Sequence, residues 1–114
     1  MEILLAKNQD IDGWMNLVYK VKESFPGLET EDALNGHRDT VLEFIGKQSA
    51  ICAKCDGKIV GTLLFSKDNN MLCFLAVDAK YRRQHIAEKM VSYMLRFLDP
   101  KKNVVVTTYR EGVP

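Results

Sequence analysis

Long hydrophobic runs are missing from this 114-residue chain. Crossing a bilayer as a helix takes about 20 consecutive apolar residues, and no stretch comes near that. The first seven residues, Met1-Glu2-Ile3-Leu4-Leu5-Ala6-Lys7, are apolar too briefly for a secretory signal and have no basic lead-in. The expectation is a cytoplasmic protein with no membrane partner. A charge bias is missing too, since 16 Lys and Arg stand against 15 Asp and Glu, for a net charge of +1. A domain that holds nucleic acid is usually strongly basic, so no nucleic-acid partner is expected. Cysteine is scarce and odd in number, at three, which fits reduced thiols and not a disulfide framework. Cys52-Ala53-Lys54-Cys55 has the spacing of half a zinc site, but Cys73, His37 and His85 supply no matching half. In a strand, positions 52 and 55 also face opposite ways. No metal is expected. Cys73 has no basic neighbour to make it a thiolate and reads as core. His37 reads as a solvated surface residue.

What is present is an ordinary globular composition, 46% hydrophobic and 27% charged. At this length a chain is one domain, 1–114, burying roughly two-thirds of its unfolded surface. Residues 2–7 read as a strand, broken by Asn8-Gln9-Asp10, with Asp10 able to cap a helix. Ile11, Trp14, Met15, Val18 and Val21 form a helical stripe that Pro26-Gly27 ends. Thr30 with Glu31-Asp32 starts a second helical region to Gly46, carrying Leu34, Val41, Leu42 and Ile45. Gly36 weakens its middle and leaves two short helices open. Ser49 to Cys55 and Lys58 to Ser66 read as a hairpin about Asp56-Gly57, with Ile59, Leu63 and Phe65 on one face. Lys67-Asp68-Asn69-Asn70 turns the chain into a third strand, Met71 to Val77. A helix follows from Gln84 or His85 until Asp99-Pro100 stops it, with apolar positions at Ile86, Met90, Tyr93, Met94 and Phe97. Asn103 to Tyr109 is a β-branched strand, expected to run parallel to the strand before the helix through a right-handed crossover.

The stretch with chemistry in it is Leu75-Ala76-Val77-Asp78-Ala79-Lys80-Tyr81-Arg82-Arg83-Gln84-His85-Ile86-Ala87. An apolar strand runs into a basic loop that opens a helix. The first helix amides have no internal partner, and the macrodipole adds positive character. Arg82 and Arg83 add full charges. Backbone donors aimed at one spot would stabilise a phosphate or pyrophosphate there.

This stretch resembles the acetyl-CoA signature of the GNAT superfamily of N-acetyltransferases, roughly Val-x-Pro-x-Tyr-Arg overlapping Arg/Gln-x-x-Gly-x-Gly/Ala. Val77, Tyr81, Arg82 and Ala87 match it. Ala79 stands where proline is usual, and His85 where the central glycine lets pyrophosphate approach the backbone. The resemblance extends over about residues 1 to 110. It implies an α/β, GNAT-like acyl-CoA N-acyltransferase fold: a mixed, twisted sheet with helices on both faces. It implies acetyl-CoA as co-substrate, its pyrophosphate on Arg82, Arg83, Gln84, His85, Ile86 and Ala87. The pantetheine arm would lie beside Leu75, Ala76 and Val77. The reaction implied is acetyl transfer to a primary amine of a small molecule or peptide. The competing reading is a non-catalytic or truncated module of the same fold that binds CoA or a protein partner. In the family the second helical region borders the acceptor pocket, so Glu29, Glu31 and Asp32 are candidates to meet a cationic amine; a solvated helix start is the first reading of them. The catalytic base and acid stay unassigned, because the strand Met71–Val77 has no acid and Tyr109 does not match the family's tyrosine. The family's further C-terminal helix and strands have no counterpart here. The expectation is therefore a fragment, with low or absent turnover. A strand at Val104-Val105-Val106 short of neighbours leaves a homodimer through that edge open.

Overall fold

The computed structural model describes residues 1–22 and 30–106, apart from the side chains of residues 82, 83 and 106. The elements are β1 (Glu2–Leu5), α1 (Ile11–Val21), α2 (Glu31–Gly46), β2 (Ala50–Cys55), β3 (Lys58–Ser66), β4 (Met71–Val77), α3 (Ile86–Leu95) and β5 (Val105–Val106). They build one five-stranded sheet in the order β1-β2-β3-β4-β5. The first four strands are antiparallel neighbours, and β5 runs parallel to β4, with Met71 opposite Val105 and Leu72 opposite Val106. The parallel pairing expected of the last strand is thus found over these two rungs. Pro26-Gly27, Glu29 and the strand beyond residue 106, including Tyr109, lie outside the described residues.

The sheet is covered on both faces. On one face α1 and α2 lay Trp14, Leu17, Val18, Val41 and Ile45 against Ala50, Cys52, Leu64, Phe74 and Ala76. On the other, α3 lays Ile86, Met90 and Met94 against Ile51, Val60, Leu63, Phe65 and Leu72. Gly61 lets α3 come close, since a Cβ there would stand 2.9 Å from both Ile86 Cγ2 and Met90 Cε. Among the described residues, no helix is long and apolar enough to cross a membrane.

Several expectations need correction. The helical region after Thr30 is one helix, not two: Gly36 sits in its interior with nothing within 4 Å of a built Cβ, so the glycine costs propensity without breaking the turn. Thr30 caps it as expected, its Oγ1 accepting from the Ala33 amide at 3.1 Å. Asp10 does not cap α1. Its carboxylate accepts from the Lys7 amide at 2.8 Å and pairs with Lys54 at 2.7 Å. Ile59 does not share a face with Leu63 and Phe65. The β2–β3 register pairs Lys54 with Ile59 but Ala53 with Gly61, and the extra residue, Val60, reverses the alternation. Helix α3 ends at Leu95, ahead of Asp99-Pro100. His37 is not solvated: it is buried in α2, its ring centroid 4.6 Å from that of Phe74.

Candidate functional site

The strand β4 is paired with β3 along its whole length, but the described pairing with β5 covers only Met71 and Leu72. Among the described residues, no strand lies beside Leu75, Ala76 and Val77 on the side away from β3. Antiparallel ladders alternate between hydrogen-bonded and open pairs. The Asp78 amide donates to the Val60 carbonyl at 2.8 Å, and the register carries on with Gly61 opposite Val77, Thr62 opposite Ala76 and Leu63 opposite Leu75. Ala76 therefore turns its backbone groups toward β3. Leu75 and Val77 turn theirs away from β3, to the side where no strand lies among the described residues.

At the end of this edge the chain enters a 3-10 segment, Ala79–Gln84, and then α3. Asp78 makes the turn. Its Oδ1 accepts from the Lys80 amide at 3.0 Å, and its carbonyl accepts from the Tyr81 amide at 2.9 Å. The carboxyl is buried, with Lys20 Nζ 3.6 Å from Oδ2. The Lys80 amide bond holds its pKa below the ordinary value; burial opposes this, and Lys20 and Lys58 reinforce it. Asp78 is a residue the motif alone does not single out. The signal for it was the Asx-turn pattern of an aspartate two residues before the basic loop.

His85 joins the 3-10 segment to α3 at φ 58° and ψ 30°. The expectation of helical backbone at this residue is wrong. It is left-handed, the conformation glycine adopts without strain, which is the physical reason for glycine in the family pattern. The His85 side chain makes no cap bond to α3. It points to solvent beside Glu88, Nδ1 to Oε2 3.4 Å, both exposed. Ile86 is buried on the sheet, Ala87 is half-buried, and Gln84 is exposed. The backbones of Arg82 and Arg83 lie in the 3-10 segment, next to the start of α3. Leu75, Val77 and the backbone of residues 82–87 thus follow one another from the end of β4 through the 3-10 segment into α3.

On the α1–α2 face of β4 lies a cavity of about 250 Å³ lined by His37, Thr40, Phe44, Cys73 and Phe74, with others. A bulge at Cys73 puts it and Phe74 on the same side. Burial lowers the His37 pKa to about 4 and raises that of the Cys73 thiol. His37 was legible in principle, because His37, Val41 and Ile45 recur at four-residue spacing on the buried stripe of α2. Among the described residues, no group of three or more His, Cys, Asp or Glu side chains is placed to hold a metal ion. Cys52 and Cys55 fall in the packing of opposite faces.

Comparison with known proteins gives a consistent result. Residues 14–110 match the family model described as Acetyltransferase (GNAT) family. Solved structures share the fold. An acetyltransferase of the GNAT family from Bacillus cereus superposes with a TM-score of 0.63 at 21% identity, over 82% of this chain and 61% of that one. The chain therefore spans less than two-thirds of that relative's length. The PaiA N-acetyltransferase of Thermoplasma acidophilum, in complex with coenzyme A, gives 0.64 at 14% identity over 83% of this chain and 69% of its own. AAC(6')-Iy, in complex with the bisubstrate analogue CoA-S-monomethyl-acetylneamine, gives 0.67 at 16% identity over 97% of this chain and 81% of its own. No curated protein matches the chain by sequence.

Proposed function

We infer the function from one premise: this chain belongs to the acetyltransferase (GNAT) family. The reading proposed is an acetyl-CoA-dependent N-acetyltransferase acting on a primary amine of a small molecule or peptide. The observation that carries it is the edge at Leu75 and Val77, without a partner strand among the described residues, leading into the turn that opens α3. The edge offers strand-type hydrogen bonds to an extended amide chain, which is what a pantetheine arm is. The amides of residues 82–87, with Arg82 and Arg83, offer donors and charge to a pyrophosphate. Bound there, the cofactor would supply an activated thioester. The chain's own residues would contribute positioning and backbone polarisation of the reacting carbonyl. His85 favours the second reading, a module of this fold that binds CoA weakly or serves a protein partner, because its Cβ occupies backbone space that glycine leaves free. A cytoplasmic location, and a homodimer through the strand of exposed Val105, belong to the same proposal.

Calorimetry with CoA tests the cofactor site. Arg82→Ala is expected to weaken binding by about 1–3 kcal/mol, the scale of a charge-assisted hydrogen bond. The loss should shrink at high salt. Unchanged affinity would remove Arg82 from the site. Turnover of acetyl-CoA with a panel of amines separates the enzyme from the binding module.

A further inference from the structure

Outside this edge, the structure has a cleft of about 540 Å³ between α1 and the β2–β3 hairpin. Three lysines line it: Lys20 from α1, Lys54 from β2 and Lys58 from β3. They are not equivalent. Lys54 is neutralised by Asp10 at 2.7 Å, and both side chains are largely buried. Lys20 reaches Asp78 at 3.6 Å, but that carboxylate already accepts the Lys80 amide. Among the described residues, no carboxylate lies within ion-pair distance of Lys58. Lys58 instead stands against Lys20, and this neighbour, first among the causes, holds its pKa below the ordinary lysine value. Lys20 and Lys58 thus line one cleft as two positive charges against the single carboxylate of Asp78, which acts on both. The rest of the wall is mixed, polar at Gln9 and Asn16 and apolar at the buried Leu17 and Ile59, with the exposed Tyr19 ring beside it.

We propose that this cleft binds a small phosphate-bearing molecule, its phosphate between Lys20 and Lys58. A phosphate dianion matches two point charges better than a monocarboxylate does. The cleft's volume of about 540 Å³ and the Tyr19 ring leave room for an organic body of nucleotide size. The cleft lies on the α1 face of the sheet, whereas the turn at 82–87 opens α3 on the other face. The two are linked at one point, because Lys20 of the cleft reaches Asp78, which makes the turn after Val77.

The test is an NMR titration of the isotopically labelled chain, without CoA, with inorganic phosphate and, separately, with AMP, the amides of the cleft being read apart from those of residues 82–87. Amides of Lys20, Gly57, Lys58 and Ile59 are expected to shift saturably with both, and AMP to bind at least as tightly. The double variant Lys20→Gln/Lys58→Gln should lose about tenfold or more in affinity. Lys58→Arg, which keeps the charge, should bind. Both lysines are exposed at their tips, so these variants should keep the parent's far-UV circular dichroism. The proposal is overturned if those amides stay still, if sodium chloride at equal ionic strength gives the same shifts, or if the double variant binds phosphate as the parent does.

Discussion

A residue at φ 58° bears a cost that glycine avoids, about 1–2 kcal/mol for a side chain in left-handed backbone. His85 is such a residue, and its pairing with Glu88 is too exposed to offset it. Glycine gives back part of the gain through its freer unfolded chain. His85→Gly is therefore expected to raise unfolding stability by up to about 1 kcal/mol in urea titration. It should bind CoA at least as tightly as the parent. A weaker complex at equal folded fraction would make the imidazole a ligand, reversing its role here.

Between elements, one buried side chain does most of the joining. Asn70 ends the turn between β3 and β4, also at positive φ. Its Oδ1 accepts from the Asp99 amide at 2.8 Å, and its Nδ2 lies 3.3 Å from the carbonyls of Asp99, Lys102 and Asn103. Its own carbonyl accepts from the Val105 amide at 3.0 Å. The chain leaving α3 is thereby pinned to the start of β4, which sets where β5 begins to pair. Asn70→Ala removes the side-chain bonds and puts alanine in left-handed space. It should cost about 2–4 kcal/mol. Amide hydrogen exchange should speed up first at residues 99–105. Uniform exchange across the sheet would show that the junction opens only with global unfolding.

For the whole molecule, His37 couples folding to pH. Burial lowers its pKa from 6.5 unfolded to about 4 folded. Above pH 6.5 the imidazole is neutral in both states. Between the two values the unfolded chain takes a proton that the folded chain refuses, so stability falls as pH falls. By pH 4 the loss should be on the order of 2–3 kcal/mol. Asp10 and Asp78 have lowered pKa values, so the stability they contribute holds above the ordinary aspartate value of 3.8 and is lost below it. That is a lower window. Urea midpoints at pH 7 and 4.5 should differ for the parent and draw together in His37→Leu. An equal slope in the variant would assign the pH dependence to other groups.

The order of elements was legible because each is announced locally. Asp56-Gly57 sits at the hairpin tip with both residues at positive φ. Thr30 caps α2, and the stripe at Ile86, Met90 and Met94 faces the sheet. The basic turn after Val77 was legible in the same way, by strand, charge and helix in succession. What sequence could not give was anything decided between distant segments. The extra residue at Val60 turned Ile59 to the other face, because a bulge depends on what pairs across the ladder. Asp10 left α1 for Lys54, 44 residues away in sequence, because a short ion pair in a sheltered place outcompetes a cap. His37 went inside because Phe74 of β4 presents it a ring to pack on. Spacing along the chain fixes what a segment can become. Only the tertiary contacts fix which face is buried, and which backbone groups of β4 turn toward β3 or away from it.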